Sequence, residues 1–156
     1  MPTPAVHVAR LADLDPVTLY RLLRLRVDVF VVEQECAYPE LDGVDTEPGT
    51  EHLWVEVAGE PVATLRTYVD PEGQHHLGRV ATHREHRGQG YAAALVREAL
   101  ARIGGHPVHI GAQTYLEGWY SGLGFVRSGE DYVEDGIPHL PMVRRSAPAG
   151  GTEKFT

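Results

Sequence analysis

The sequence predicts a mixed α/β fold, an α+β arrangement in which a largely antiparallel sheet is flanked by helices, one of them inserted between strands. Three observations lead there. Apolar residues recur at helical spacing in two segments, Pro16 to about Val32 and Gly90 to Ile103. Three β-rich runs follow one another between His52 and Thr82, separated by short turn signals. After the second helix a short apolar strand, a brief helix and a hairpin close the chain. The 156 residues suffice for one domain over 1–145, with 146–156 expected to fray.

Taken in order, Ala5 to Leu11 reads as an edge strand. Asp15 is placed as an N-cap with Pro16 at the first helical position, and Leu19, Leu22, Leu23, Leu25 and Val29 form the apolar stripe of the first helix. Residues Glu35 to Thr50, rich in Pro, Gly and acidic groups, form an irregular loop. "HLWVEVAGEPVATLRTYV" supplies two strands joined at Gly59-Glu60, and "HHLGRVAT" a third after Pro71-Glu72-Gly73, as a meander. The second helix carries Leu95, Val96, Ala99, Leu100 and Ile103 on one face and ends at Gly104-Gly105. "PVHIGAQ" is a buried strand and "TYLEGWYSGL" a brief helix. A last strand over Phe125 to Val133 turns at Glu134-Asp135-Gly136 into "IPHLPMVR".

Composition removes several function classes. The net charge of -8 argues against nucleic acid as the main partner, because a phosphate backbone needs a broad basic face. The single cysteine, Cys36, forms no disulfide within the chain. No segment reaches membrane-spanning length, and "MPTPAVHVARL" lacks the basic-then-apolar pattern of a secretory signal, so the expectation is a soluble cytoplasmic protein with no membrane partner.

Against this acidic background "HREHRGQGYAAALV" gathers histidines and arginines where a helix begins. The first turn of a helix presents unpaired N–H donors and the positive end of its dipole. Gly88 and Gly90 let a ligand approach the backbone, Arg87 adds charge, and no Ser, Thr, Asp or Asn caps the helix. A pyrophosphate satisfies such donors; a solvated glycine-rich turn is the competing reading. The stretch lacks the lysine–hydroxyl ending of a P-loop and the third glycine of a dinucleotide fingerprint. Zinc on His83 and His86 is opposed by the neighbouring arginines, and no metal is expected.

These residues resemble a family. Arg87-Gly88-Gln89-Gly90-Tyr91-Ala92 fits the Arg/Gln-x-x-Gly-x-Gly/Ala signature of the GNAT acyltransferases, between a strand and a helix. "GAQTYLEGWYSGLGF" resembles that family's later block, with Gln113 where Asn is usual and Tyr120 ahead of Gly124-Phe125. "LRVDVFVVEQECAYPELDG", "GRVAT", "GAQ" and "EDGIPHLPM" are similar to the ElaA-like branch of these N-acetyltransferases. The resemblance implies a bent sheet whose strands "LGRVAT" and "PVHIGAQ" splay apart, with acetyl-CoA as co-substrate in the gap. It implies that Val80, Ala81 and Thr82 line the pantetheine and acetyl group, that Arg87, Gly88, Gln89, Gly90, Tyr91 and Ala92 hold the pyrophosphate, and that Gln113 contacts the coenzyme. Homodimers are common in the family.

Acetyl transfer to an amine needs a neutral nitrogen, support for an oxyanion, and a proton for the departing thiolate. The family pattern makes Tyr120 the proton donor; its ordinary pKa of about 10 suits a thiol, and packing beside Trp119 and Phe125 is the competing role. Glu33, Glu35 and His139 are candidate bases. Glu40, Asp42, Asp45 and Glu47 crowd one loop, either to attract a cationic amine of a small molecule or protein or as solvated charges. Arg26, Phe30, Glu40, Asp42 and Asp45 also resemble the N-terminal pattern of acyl-homoserine lactone synthases, which bind S-adenosylmethionine through acidic residues. That likeness places Phe30 with the carboxylates at the substrate. A third possibility is a CoA-binding sensor without catalysis.

Overall fold

Asp15 starts the first helix as its side chain predicts: its carboxylate accepts hydrogen bonds from the Thr18 amide at 2.9 Å and the Thr18 hydroxyl at 2.8 Å. The structure, a computed structural model, describes residues 3–145, so the tail over 146–156 lies outside the described residues. Helix α1 runs over Pro16–Val27, with Leu22 and Leu25 buried. The expected regular helix to Val32 changes pitch instead, and Asp28–Glu33 is π-helical. Val27, Val29, Val31, Val32 and Phe30 crowd a regular turn there, since branched side chains press on the preceding turn. The wider turn brings Phe30, Glu33 and Gln34 to the cleft described below.

The strands are β1 (His7–Arg10), β2 (Glu51–Val57), β3 (Glu60–Val69), β4 (His75–Thr82), β5 (Val108–Gln113), β6 (Val126–Arg127), β7 (Tyr132–Glu134) and β8 (Ile137–Arg144). They form one sheet in the order β1-β2-β3-β4-β5-β8-β6, with β7 also on β8. Every pairing is antiparallel except β4 with β5. The β2–β3 turn falls at Ala58-Gly59, one residue earlier than expected, with both residues at positive φ and Val57 opposite Glu60. Two positive φ values give the strand-matching turn of a tight hairpin.

The single last strand expected over Phe125 to Val133 is two short ones. β6 pairs with Met142 and Val143, β7 with Ile137 to His139, and the break lies opposite Leu140-Pro141. Pro141 has no N–H to continue the ladder, and an Arg127–Asp131 ion pair spans the bend at Gly129 between the two strands.

Helix α2 (Tyr91–Ile103) packs on one face of the sheet, where Leu53, Leu65, Leu95, Val96, Phe125 and Leu140 are at most 1 % exposed. Burying one such leucine or phenylalanine stabilises the fold by about 1.5–3 kcal/mol. Helix α1 and the π-helical segment after it cover the other face through Leu25 and Val29 against Ala81. β3, between the two helices, is therefore buried over Val62–Thr67 on both sides. α3 (Glu117–Ser121) is one turn beyond β5.

One discontinuity positions the site. β4 and β5 pair only at His75↔Val108 and His76↔His109, and beyond that point they diverge. Each stays anchored on its other side, β4 to β3 and β5 to β8 from Val108↔Arg144 to Gln113↔His139. The sheet thus opens into a V. On its β4 arm a bulge puts Arg79 at φ +52°, an uncommon conformation for a residue with a side chain.

Candidate active site

Two cavities meet inside the V. The first, of ≈ 440 Å³, runs from the ends of β4 and β5 to the start of α2. Val80, Ala81, Thr82, Arg87, Gly88, Gly90, Tyr91, Ala92 and Gln113 all line it. Gln89, exposed between the two glycines, lies outside the lining. Gly88 and Gly90 have φ +79° and +81°, and a Cβ at either position would meet open space. Gly90 is the N-cap of α2 and no side chain caps its amides. A concave backbone with free N–H groups and no Cβ in front of it suits a phosphate group. His83 does not face this cradle: its Nδ1 accepts from the Glu85 amide at 3.1 Å, holding the turn before it.

Arg87 crosses the cavity mouth. Its Nε donates to the Thr82 carbonyl at 3.0 Å, and its two terminal nitrogens donate to the Glu33 carboxylate at 2.5 and 2.7 Å. The guanidinium holds the Glu33 carboxyl below its ordinary value. Glu33 therefore belongs to the wall of this first cavity, tied to the signature arginine.

The second cavity, of ≈ 270 Å³, lies deeper, toward the vertex where β4 and β5 pair. Phe30, Gln34, Val80, Gln113, Leu116 and Tyr120 line both cavities and form their junction. Gln113 Nε2 donates to Gln34 Oε1 at 3.3 Å, linking the π-helical end of the first arm to β5. Tyr120 is 6 % exposed, edge-on to Trp119 and Phe125. Burial pushes its hydroxyl above the usual phenol value, so it stays protonated at neutral pH.

His139 faces the second cavity opposite Gln113. Its Nδ1 lies 2.7 Å from the Ile137 carbonyl, which can only accept, so Nδ1 is the donor and Nε2 is the nitrogen left free of that bond. Its ring stacks on Tyr132 at 5.6 Å. Cys36 lines the same cavity and donates to the Asp135 carbonyl at 3.3 Å.

In the acidic loop Glu40, Asp42 and Asp45 are engaged by arginines, whereas Glu47 is an exposed, solvated charge. Arg26, 2 % exposed, donates to Glu40 at 2.7 Å and to Asp45 at 2.8 Å. Arg66 grips Asp42 with both terminal nitrogens at 2.9 and 2.7 Å and reaches Asp45 at 3.1 Å. Arg79 Nε stands 2.9 Å from Glu40, an ion contact, and its terminal nitrogen is 3.4 Å from Asp42. Tyr38 donates its hydroxyl to Glu40. Glu40 and Asp45 are 4 and 5 % exposed; Asp42 is more open. Burial pushes the Asp42 carboxyl up, but Arg66 outweighs it and brings it down to about 2.

The lactone-synthase likeness named Arg26 with these carboxylates, but Arg66 and Arg79, which reach them from β3 and β4, were not singled out in the sequence. Arg66 inside the six-residue buried stretch of β3 is the signal that would have found them, because a buried guanidinium needs carboxylate partners. Equally missed was His76, whose Nε2 donates to Asp70 at 2.7 Å at the inner end of the second cavity.

A sheet that splays between two anchored strands, with an uncapped glycine-led helix on one side and a polar cavity on the other, defines an acyltransferase architecture. Residues 25–146 match the family model described as an acetyltransferase (GNAT) domain, and the chain belongs to that family. A UPF0039 protein of Mycobacterium tuberculosis is 47% identical over 146 residues, covering 91% of this chain and 94% of that protein. Protein ElaA of Escherichia coli is 36% identical over 139 residues, covering 85% and 91%, and its crystal structure superimposes with a TM-score of 0.85 over 91% of this chain and 99% of that one. The crystal structure of an acyl-CoA N-acyltransferase from Pseudomonas aeruginosa is 42% identical, with a TM-score of 0.83 over 90% and 99%. No helix among the described residues is long and apolar enough to cross a membrane.

Proposed function

We propose that this protein is a cytoplasmic N-acetyltransferase, moving the acetyl group of acetyl-CoA to a primary amine within a ternary complex. The observation that carries this reading is the meeting of two cavities at Val80, Gln113 and Tyr120 inside the splayed strands. The first cavity takes the co-substrate: the amides from Gly88 to Ala92 and Arg87 bind its pyrophosphate, and the β4 edge at Val80, Ala81 and Thr82 pairs with the amide-bearing arm. Gln113 orients the thioester. The second cavity takes the amine.

His139 Nε2, directly or through a water, receives the proton of the attacking ammonium. The neutral nitrogen adds to the carbonyl carbon, the tetrahedral intermediate collapses with cleavage of the C–S bond, Tyr120 gives its proton to the leaving thiolate, and the proton shed by the nitrogen as it becomes an amide returns to the Tyr120 oxygen. Glu33 is less suited to the base role, since Arg87 holds it ionised on the co-substrate side. Asp42 and Asp45, which the lactone-synthase likeness would assign to S-adenosylmethionine, are engaged by Arg26 and Arg66.

Tyr120→Phe tests the assignment. Turnover should fall by roughly 10²–10⁴-fold, while calorimetric titration gives unchanged acetyl-CoA affinity. Undiminished turnover removes Tyr120 as the acid. A wild-type protein that binds acetyl-CoA but acetylates no amine is the sensor.

A further inference from the structure

The second cavity has a composition that restricts what it admits. Its two cationic side chains, Arg66 and Arg79, are already matched by Asp42 and Glu40. Carboxylates without an ion-pair partner among the described residues, Glu134 and Asp135, are exposed on the β7–β8 turn at the rim. An anionic body has no unmatched cation to meet inside, and a second ammonium finds unmatched carboxylates only at the exposed rim, where solvent screens them. Burying either unpaired is costly.

The walls are aromatic, and they come from both arms of the V. Tyr68 stacks on His76 at 4.9 Å with the planes 10° apart, on β3 and β4. Tyr132 stacks on His139 at 5.6 Å and 21°, on β7 and β8. Each histidine is fixed from behind, His76 by Asp70 and His139 by the Ile137 carbonyl, so the flat surfaces are pre-organised.

Between these stacks the β4 floor is Gly78. It has no positive φ, and a Cβ placed on it would meet nothing within 4 Å. A glycine in a strand interior forfeits stability and packing, and no turn requires it here. What it provides is open space against the backbone. Gly78 lines the second cavity and not the first. It lies two residues from Val80 at the junction, about 6–7 Å along a strand, within the reach of a short alkyl chain.

Resting on the acetyl-transfer reading above, we propose that the acceptor is a small primary amine carried on a short alkyl chain by an uncharged, planar aromatic body. The body lies over Gly78 between the Tyr68–His76 and Tyr132–His139 stacks, and the chain delivers the nitrogen to the junction at Tyr120. Gly78 is then a specificity-determining residue.

The test follows acetylated product by mass, with acetyl-CoA and four probes: phenethylamine, tryptamine, spermidine and a lysine-containing peptide. The two aromatic amines should show kcat/KM roughly tenfold or more above the others. Gly78→Val should raise KM for them by roughly tenfold or more, with acetyl-CoA affinity and melting temperature unchanged. Should Gly78→Val not fold, Tyr68→Leu reads the same wall. Preference for spermidine or the peptide overturns the inference, as does acetyl-CoA binding without acetylation of either aromatic amine, or a KM indifferent to both variants. Failure to bind acetyl-CoA by calorimetry instead removes the acetyl-transfer reading beneath it.

Discussion

The loop before β2 and the loop before α2 are both dense in charge, and the fold treats them oppositely. In the first, Glu40, Asp42 and Asp45 meet Arg26, Arg66 and Arg79 in a largely buried network, so three carboxylates face three guanidiniums and little charge remains. In the second, Gly88 and Gly90 leave backbone donors open and Arg87 has one ion-pair partner, Glu33. The difference teaches that charge density along a chain says little about binding until the partners are counted. A charge-balanced cluster holds walls in place; one with open backbone donors has capacity left for a ligand.

The comparison can be broken from the first loop with the largest effect. Arg26→Ala leaves Glu40 and Asp45 buried without their main counter-charge, and removing one partner of a buried pair costs about 3–5 kcal/mol. Urea unfolding should register that loss; a change below about 1 kcal/mol would mean that water reaches the network. From the second loop, Arg87→Glu should barely alter the melting temperature but weaken acetyl-CoA binding roughly 10- to 100-fold, the scale of a hydrogen bond to a charged group. Equal affinity in both proteins would detach the guanidinium from the coenzyme site.

The smallest effect sharpens the contrast through pH. Asp42 titrates near 2 in the fold against an ordinary 3.8, and Asp45 and Glu33 are also lowered. A depressed carboxyl contributes stability that is complete above its unfolded pKa and lost as pH falls through the folded one. Melting temperature should therefore hold down to about pH 4 and decline toward pH 2, and a protein without the Asp42 carboxyl, Asp42→Asn, should show a shallower decline.

What was legible in the sequence follows the range of the forces involved. The Asp15 cap, the meander and the uncapped start of α2 are local events, decided within a few residues, and each was readable. Val80 to Thr82 and Arg87 to Ala92 were singled out through the family resemblance as two short contiguous blocks, and all of them but Gln89 line the first cavity, whereas its walls from Val29 to Gln34 and from Tyr115 to Trp119 come from elsewhere in the chain. The arginine–carboxylate network was legible only in part: the lactone-synthase likeness named Arg26, but Arg66 and Arg79 reach the loop from β3 and β4, and spacing does not reveal such encounters. The π-helical segment escaped for a related reason: valines and Phe30 keep a helical rhythm while their bulk changes the pitch. The broken last strand depended on Pro141 of its partner, a cross-strand fact.

The two-pair ladder between β4 and β5 has a consequence of another kind. A sheet normally has two edges, each a row of unpaired backbone groups that invites another chain. This one, unzipped in its middle, acquires two more along Gly78–Thr82 and Ile110–Gln113. Those inner edges face each other across a gap that the π-helical segment and the β7–β8 turn hedge in. A slender molecule carrying amide groups can dock along them, while a neighbouring protein's strand finds no flank to approach. The protein thus keeps its most adhesive backbone indoors, turning what is ordinarily an aggregation hazard into a private berth.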